Sequence, residues 1–171
     1  VLQWNWMKEK MQSTNRSLNV LNLFAYTGIA TLVAAANGAR VTHVDASKPT
    51  IKWAKANQEA SNLSDKPIRW ILDDAVKFVQ REIKRGVTYD GIIMDPPVYG
   101  HGPNGEKWNF YTSFPYFLEL CRQLLSDKPV FMIVNTYAIS ASALMLENCL
   151  KDFSAGLGGE IEVGELALKE K

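Results

Sequence analysis

The sequence lacks the features that mark secreted, metal-binding or membrane proteins. It has two cysteines and two histidines in 171 residues. Cys121 and Cys149 lie far apart and match neither a metal-ligand spacing nor a disulfide framework, so a reduced, cytoplasmic setting is the default expectation. No apolar run is long enough to span a bilayer, and we expect no signal peptide. The sequence therefore predicts neither a metal nor a membrane partner.

An excess of charge of one sign is also missing. Nineteen basic and 18 acidic side chains give a net charge of +1, which neither requires nor excludes a nucleic-acid partner. Hydrophobic residues make up 47% of the chain and charged residues 22%, as in ordinary globular proteins. The composition predicts one folded domain with a full core and no disordered tract.

What the sequence does contain is a regular alternation of buried strands and amphipathic helices. The predicted strands are Val20–Ala25, Arg40–Asp45, Pro67–Leu72, Tyr89–Met94, Val130–Asn135 and Glu160–Leu168. The predicted helices are Val1–Asn15, Ile29–Asn37, a helix from the Ser47 cap to Ser61, one from Asp74 to Arg85, Phe114–Ser126 and Ala138–Phe153. This order predicts an α/β fold with a Rossmann-like, doubly wound, mostly parallel sheet. The stretch Val98–Phe110, rich in glycine, is predicted to be a functional loop.

The Asp95-Pro96-Pro97 sequence stands where the buried strand Tyr89–Met94 ends. Two successive prolines remove two backbone donors and hold the chain extended. Ligands of open α/β sheets bind at the carboxyl ends of the strands. Asp95 is therefore a candidate functional acid, although it could equally cap a turn.

Two further acids and a glycine turn follow the other strands. Asp45 ends the second strand, Asp74 lies just after the third, and Gly28 follows the first. An acid about 20 residues after such a glycine is typical of sites that bind the ribose of a nucleotide cofactor. Gly-x-Gly-x-x-Gly and Gly-Lys-Ser/Thr are both absent, which disfavours dinucleotides and triphosphates. S-adenosylmethionine fits, with its carboxylate at Gly28, its ribose at Asp45 and its adenine at Asp74.

Four motifs in this order resemble those of class I S-adenosylmethionine-dependent methyltransferases, most closely the bacterial group related to large-subunit ribosomal RNA methyltransferases. They are Asn22–Gly28 (NLFAYTG), His43–Ser47 (HVDAS), Asp73–Ala75 (DDA) and Asp95–Pro97 (DPP). The resemblance implies S-adenosylmethionine as cofactor and RNA as the methyl acceptor. The cofactor-binding candidates are Phe24, Tyr26, Thr27, Gly28, Asp45, Ala46, Ser47, Asp74, Ala75 and Asp95. The catalytic candidates are Asp95, Pro96, Pro97 and Tyr99.

The chain departs from this family pattern in two places. Members that methylate carbon-5 of cytosine use a cysteine after the fifth strand, where this chain has Asn135-Thr136-Tyr137. Members that methylate amino groups have an aromatic residue directly after Pro-Pro, where this chain has Val98 before Tyr99. We therefore expect direct transfer to a ring nitrogen, an oxygen or another nucleophile, without a cysteine intermediate. Small-molecule or protein methylation, or a catalytically silent binding module, remain alternatives.

Several weaker candidates have two interpretations each. His101 is either a base or an exposed loop residue, and His43 is expected to be structural. Lys107, Trp108 and Tyr99 either contact nucleic acid or pin the loop to the sheet. The tryptophans Trp53 and Trp70 are interpreted as core or as a wall of the adenine pocket.

We also interpret the chain as one catalytic domain, residues 1–171, from a longer protein. Class I sheets end in a hairpin, of which Glu160–Leu168 matches the first strand. The last strand is therefore expected to be missing, which leaves the fifth strand with an open edge. Either Glu160–Leu168 fills that edge, a second molecule fills it, or residues beyond Lys171 are needed. The oligomeric state, including a possible dimer, stays open.

Overall fold

The computed structural model describes residues 2–137 and 139–165. The chain divides into two compact units, residues 1–137 and 138–171. The first unit contains, in chain order, α1 Leu2–Gln12, β1 Asn19–Leu23, α2 Ile29–Ala36, β2 Arg40–Asp45, α3 Lys48–Ala60, β3 Ile68–Leu72, α4 Ala75–Lys84, β4 Gly91–Met94, β5 Tyr99–His101, β6 Lys107–Asn109, α5 Phe110–Arg122 and β7 Phe131–Val134. The second contains α6 Ala143–Ser154.

Five strands form one parallel sheet in the order β3-β2-β1-β4-β7. The chain starts in the middle at β1, runs outward to β3, and then returns to add β4 and β7 on the other side. The point where the strand order reverses lies between β1 and β4, and such a switch point opens a crevice at the carboxyl ends of the strands. The α/β fold with a parallel sheet is therefore confirmed.

The central strands are apolar because helices cover them. All four residues of β4 and the last four of β1 are buried, as expected for a parallel sheet with two covered faces. On one face, Met7 and Met11 of α1 are buried beside the alanine-rich α2. Small alanine side chains let α2 lie close to β1 and β2, which places the start of α2 directly beside the sheet edge.

Local capping explains where the helices begin. The Ser47 side chain accepts a hydrogen bond from the Thr50 N–H, and a proline occupies the first turn of α3, as predicted. Asp74 caps α4 by accepting from the Lys77 N–H at 2.9 Å. Each cap lies two residues after the end of a β-strand, and at α4 the cap is itself one of the predicted acids.

The predicted loop 98–110 is wrong in part, because it contains a β-hairpin. Strands β5 and β6 pair antiparallel through three residue pairs, and α5 starts at Phe110, four residues before the prediction. The Asn109 side chain caps α5 by accepting from the Tyr111 N–H at 3.0 Å. Three-residue strands are too short to show an alternating pattern, which is why the sequence alone missed them.

The second unit also differs from the prediction. Its helix begins at Ala143, capped by the Ser142 side chain. The prediction began the helix at Ala138, which lies outside the described residues, and residues 139–142 are not helical. Residues 160–165 form no strand, so the predicted strand Glu160–Leu168 is wrong there; positions 166–168 lie outside the described residues. Within residues 2–137 and 139–165, β7 pairs with β4 and with no other strand.

Candidate active site

A cleft of about 320 Å³ lies at the carboxyl ends of the parallel strands. Four carboxylates line it: Asp45 after β2, Asp73 and Asp74 after β3, and Asp95 after β4. A larger and more open cleft, of about 420 Å³, lies at the opposite ends of the strands and contains none of the predicted site residues. The smaller cleft is the candidate site because it combines the switch point with all four acids.

The turn from Phe24 to Gly28 has an unusual backbone, and its residues Phe24 and Tyr26 line the cleft. Phe24, Tyr26 and Gly28 have φ angles of 53°, 46° and 86°. A left-handed conformation is uncommon for aromatic residues and marks stored strain. Gly28 precedes α2, and no side chain caps that helix. The first turn of α2 can therefore offer N–H groups to an anion.

Asp45 holds this turn in place. Its Oδ2 accepts from the Tyr26 N–H at 2.8 Å, and its Oδ1 accepts from the Ser47 N–H at 2.8 Å and the Thr50 hydroxyl at 2.9 Å. A carboxylate has about four acceptor positions, so these bonds leave about one for a ligand. The residue predicted to bind ribose is thus also a structural bridge between the Gly28 turn and α3.

The two acids after β3 are engaged as well. Asp73 accepts from the Asp74 N–H at 3.0 Å and forms an ion pair with Arg81. The Asp74 Oδ1 caps α4, as described above. The Asp73 N–H donates to the Asp45 carbonyl at 3.1 Å, which ties the second and third strand ends together.

Asp95 differs from the other three acids. Within the part of the chain that the structure describes, no side-chain hydrogen bond or ion pair engages its carboxylate. The residue as a whole is exposed, yet its carboxyl group is partly desolvated, and this desolvation raises its pKa. Asp95 therefore presents unused acceptor oxygens to the cleft.

Aromatic packing supports the Pro-Pro turn behind Asp95. The Trp108 indole N–H donates to the Pro97 carbonyl at 2.7 Å. The centroid of the Trp108 ring lies 4.9 Å from the centroid of the Phe24 ring and 5.4 Å from that of the Phe117 ring. Trp108 is only 6% exposed, so it pins the hairpin to the sheet, and it also lines the cleft. Tyr99 is 68% exposed.

Most of the predicted site residues come together at the cleft. The predicted residues that line it are Phe24, Tyr26, Asp45, Ala46, Ser47, Asp74, Ala75, Asp95 and Pro97. Those that do not line it are Thr27, Gly28, Pro96 and Tyr99. The sequence did not identify Asp73, Gly100, Gly102 and Tyr137 as site residues, whereas His101 and Trp108, which were both weighed as candidates, do line the cleft. The glycines in the stretch 98–110 could have indicated the hairpin. No sequence feature indicated that Tyr137 would line the cleft.

Other expectations are settled by burial. Cys121 is fully buried, and that burial raises the pKa of its thiol, which suits core packing and not nucleophilic attack. Trp53 is 58% exposed on α3, so the core and pocket interpretations are both wrong for it. Trp70 packs on the buried His43 ring with centroids 4.5 Å apart, which supports the expectation that His43 is structural.

Two negative findings concern the described residues alone. No helix in residues 2–137 and 139–165 is long and apolar enough to cross a membrane. The same residues contain no group of three or more histidine, cysteine or acidic side chains arranged to hold a metal ion.

The family described as "Conserved hypothetical protein 95" matches residues 3–104, the segment from α1 to the β5–β6 hairpin that carries all four acids. The chain belongs to this family.

Curated relatives of the chain include ribosomal RNA methyltransferases. A ribosomal RNA large subunit methyltransferase K/L from Syntrophotalea carbinolica is 38% identical over 129 residues, which cover 74% of this chain and 18% of that protein. Ribosomal RNA large subunit methyltransferase I from Pseudoalteromonas translucida is 36% identical over 90 residues, covering 52% of this chain and 23% of that protein. The chain thus matches about a fifth of the length of these relatives.

Solved structures share the fold. The crystal structure of a SAM-dependent methyltransferase from Agrobacterium tumefaciens is 48% identical with a TM-score of 0.90, covering 92% of this chain and 50% of that one. A structure from Streptococcus mutans at 22% identity has a TM-score of 0.73 and covers 92% of this chain and 41% of that one, which shows the fold alone. This member of the Conserved hypothetical protein 95 family has the fold of S-adenosylmethionine-dependent methyltransferases.

Proposed function

We propose that the chain is the catalytic domain of an S-adenosylmethionine-dependent methyltransferase that acts on a base of ribosomal RNA. The observation that carries the proposal is the difference in hydrogen bonding among the four acids in the cleft. Asp45, Asp73 and Asp74 accept hydrogen bonds from the chain, whereas Asp95 accepts none among the described residues. Three acids thus shape a binding site, and the fourth is available to the reacting partner.

The residues of the cleft fit S-adenosylmethionine. The uncapped start of α2, which follows the cleft-lining residues Phe24 and Tyr26, suits the carboxylate of its methionine part. The remaining acceptor position of Asp45 suits a ribose hydroxyl. The free Oδ2 of Asp74 suits the adenine amino group. The cleft volume of about 320 Å³ lies within the usual range for small-molecule sites.

When bound, the sulfonium supplies a methyl group whose bond to sulfur breaks as the acceptor atom attacks. The chain then has two tasks, alignment and charge stabilisation. The Asp95 carboxylate can accept a hydrogen bond from an N–H of the target and orient its lone pair. Its raised pKa also makes it a better proton acceptor than an ordinary aspartate.

A cysteine nucleophile has no place in this mechanism. Cys121 is buried with a raised thiol pKa, and neither Cys121 nor Cys149 lines the cleft. The turn after β7 carries Asn135, Thr136 and Tyr137, of which Tyr137 lines the cleft and is 62% exposed. Transfer is therefore direct in our proposal.

RNA as acceptor is supported by the names of the curated relatives and by the exposed aromatic residues near the cleft. Tyr26 and Tyr137 line it with 61% and 62% of their surface exposed, and exposed tyrosine rings are suitable platforms for bases. On α3, three exposed lysines, Lys48, Lys52 and Lys55, have no ion pair in the described part of the chain. The net charge of +1 is what favours a small-molecule or protein acceptor instead.

The Asp95→Asn variant tests the proposal. It keeps the size of the side chain but removes the charge and one acceptor oxygen, so the turnover number for methyl transfer to ribosomal RNA should fall by about 100-fold or more. Affinity for S-adenosylhomocysteine, measured by calorimetry, should change by less than about threefold.

Equal losses in turnover and cofactor affinity would place Asp95 in the cofactor site and contradict its role toward the acceptor. If the wild-type protein methylated a small molecule or a protein and did not methylate ribosomal RNA, the proposal of an RNA acceptor would be wrong. The Cys121→Ala, Cys149→Ala double variant tests direct transfer. Its turnover number per folded molecule should equal that of the wild type, and a large loss would indicate a cysteine nucleophile.

A further inference from the structure

The Glu106 carboxylate joins the hairpin to α4. Its Oε1 pairs with the Lys77 ammonium at 2.5 Å, and its Oε2 accepts from the Asn104 N–H at 2.9 Å. The Asn104 side-chain amide adds a bond of 3.3 Å to Oε1. The Glu106 side chain is only 13% exposed, against 53% for Lys77. A single acid on the hairpin loop thus organises that loop and reaches across to the helix.

Each end of this ion pair is fixed to a different wall of the cleft. The Lys77 backbone N–H donates to Asp74, the acid that caps α4 and lines the cleft. Glu106 lies in the loop between β5 and β6, and the neighbouring hairpin residues Gly100, His101 and Gly102 line the cleft. The distance between the two walls therefore depends on this contact.

Both partners stay charged over the working pH range. The Lys77 hydrogen bond, followed by bonds from backbone N–H groups, lowers the pKa of Glu106 to about 2. The same hydrogen bond raises the pKa of Lys77. Salt, and not a change of pH near neutrality, should therefore weaken the contact.

The hairpin leaves space for Glu106 by having glycine at position 102. A Cβ added there would lie 2.3 Å from the Glu106 Oε2 and 2.9 Å from the Glu106 Cβ. The Gly102 N–H also donates to the Glu106 carbonyl at 2.8 Å. Any side chain at 102 must displace Glu106, so the two positions act as a pair.

We propose that Glu106 and Lys77 are positioning residues that latch the hairpin to α4 and thereby set the shape of the adenine side of the cofactor cleft. The inference rests on the cofactor placement of the proposed function, with adenine near Asp74. Neither side chain touches the reacting atoms. Loss of the latch should therefore change cofactor affinity and leave the chemical step unchanged.

The Lys77→Met variant of the full chain is the direct test, because methionine keeps most of the stem and removes the charge. Affinity for S-adenosylhomocysteine should fall about two- to fivefold, the range expected for a partly exposed ion pair. KM for S-adenosylmethionine should rise equally, with kcat at saturating cofactor unchanged. The matched control is Lys66→Met, which breaks the surface ion pair with Asp65 and should leave both constants unchanged.

A double-mutant cycle separates the latch from general loss of stability. Lys77→Met combined with Glu106→Gln should weaken binding less than the product of the two single losses, because both remove one contact. Gly102→Ala should weaken binding without touching either charge. The melting temperature of each variant shows whether it is folded.

Wild-type affinity in folded Lys77→Met and Gly102→Ala variants would overturn the latch while leaving the methyltransferase assignment intact. Strictly multiplicative losses in the cycle would overturn it too. If wild-type protein did not bind S-adenosylhomocysteine at all, the cofactor placement and the latch would both be wrong.

Discussion

At the scale of single residues, the site depends on backbone conformations that few side chains can adopt. Gly28 has φ 86°, and a Cβ there would lie 3.1 Å from the Ala54 Cβ of α3. The residue therefore carries both a conformational and a steric requirement. Phe24 and Tyr26 share the left-handed region without being glycine, and the bond from the Tyr26 N–H to Asp45 shows what holds the turn there.

Gly28→Ala and Gly38→Ala together separate these two requirements. Gly38 has φ 89° and nothing within 4 Å of an added Cβ, so alanine there should cost about 1 kcal/mol of unfolding free energy from backbone strain alone. Gly28→Ala should cost more than that and should also weaken S-adenosylhomocysteine binding. Urea unfolding and calorimetry measure the two effects; equal behaviour of the two variants would contradict the steric role of Gly28.

At the scale of elements, the β5–β6 hairpin encloses one side of the cleft, next to the Pro-Pro turn at the end of β4. Its strands are three residues each, too short to be stable without other contacts. Stability comes from the Trp108 packing and from the Glu106 contacts at its loop. The hairpin therefore depends on the sheet below it, and the Pro-Pro turn depends on the hairpin in return.

Trp108→Phe tests this mutual dependence. Phenylalanine keeps an aromatic ring among Phe24 and Phe117 but leaves the Pro97 carbonyl without the indole N–H, which should cost about 1–2 kcal/mol of unfolding free energy. Methyl transfer should fall more than cofactor affinity, because Pro97 lies beside Asp95. Trp53→Phe, on the exposed face of α3, is the control and should change neither. Unchanged transfer in Trp108→Phe would show that the hairpin does not support the turn.

At the scale of the whole molecule, a buried polar chain runs through the layer between β1, β2 and α2. The Asn22 side-chain amide donates to the Thr31 hydroxyl at 2.9 Å, and that hydroxyl lies 2.9 Å from the His43 Nδ1. His43 is fully buried, and burial lowers its pKa to about 4 in spite of the opposing effect of Asp45. The fold therefore holds this histidine neutral.

The consequence is a pH dependence of global stability. Between about pH 6.5 and pH 4 the unfolded chain protonates His43 while the folded chain does not, so the free energy of unfolding falls as the pH falls. The loss from this group should reach about 3 kcal/mol near pH 4 and then level off. Urea unfolding at several pH values, with His43→Gln compared with wild type, isolates it.

The exposed His101→Gln variant is the control for that series and should follow the wild-type curve. The stability advantage of wild type over His43→Gln should shrink steadily from pH 7 to pH 4. Parallel curves for the two proteins would mean that His43 is protonated in the folded state as readily as in the unfolded state.

The sequence by itself determined the order of the elements and the acids at their ends. Buried runs such as Arg40–Asp45, which the structure reproduces residue for residue, and caps such as Ser47 are local signals. Strand–helix alternation then requires a parallel sheet, and parallel strands bring their carboxyl ends to one edge. For this reason Asp45, Asp74 and Asp95 could be placed together without coordinates.

Only the tertiary structure decided which of these acids has no hydrogen-bond partner among the described residues, and which elements surround the cleft. Residues from separate segments are joined by the bond from the Tyr26 N–H to Asp45, by the Glu106–Lys77 contact and by the bond from the Trp108 indole to Pro97. Tyr137 lines the cleft because of where β7 ends. Short strands such as β5 and β6 carry no periodic signal. Such contacts depend on packing between separate segments, which local sequence patterns do not predict.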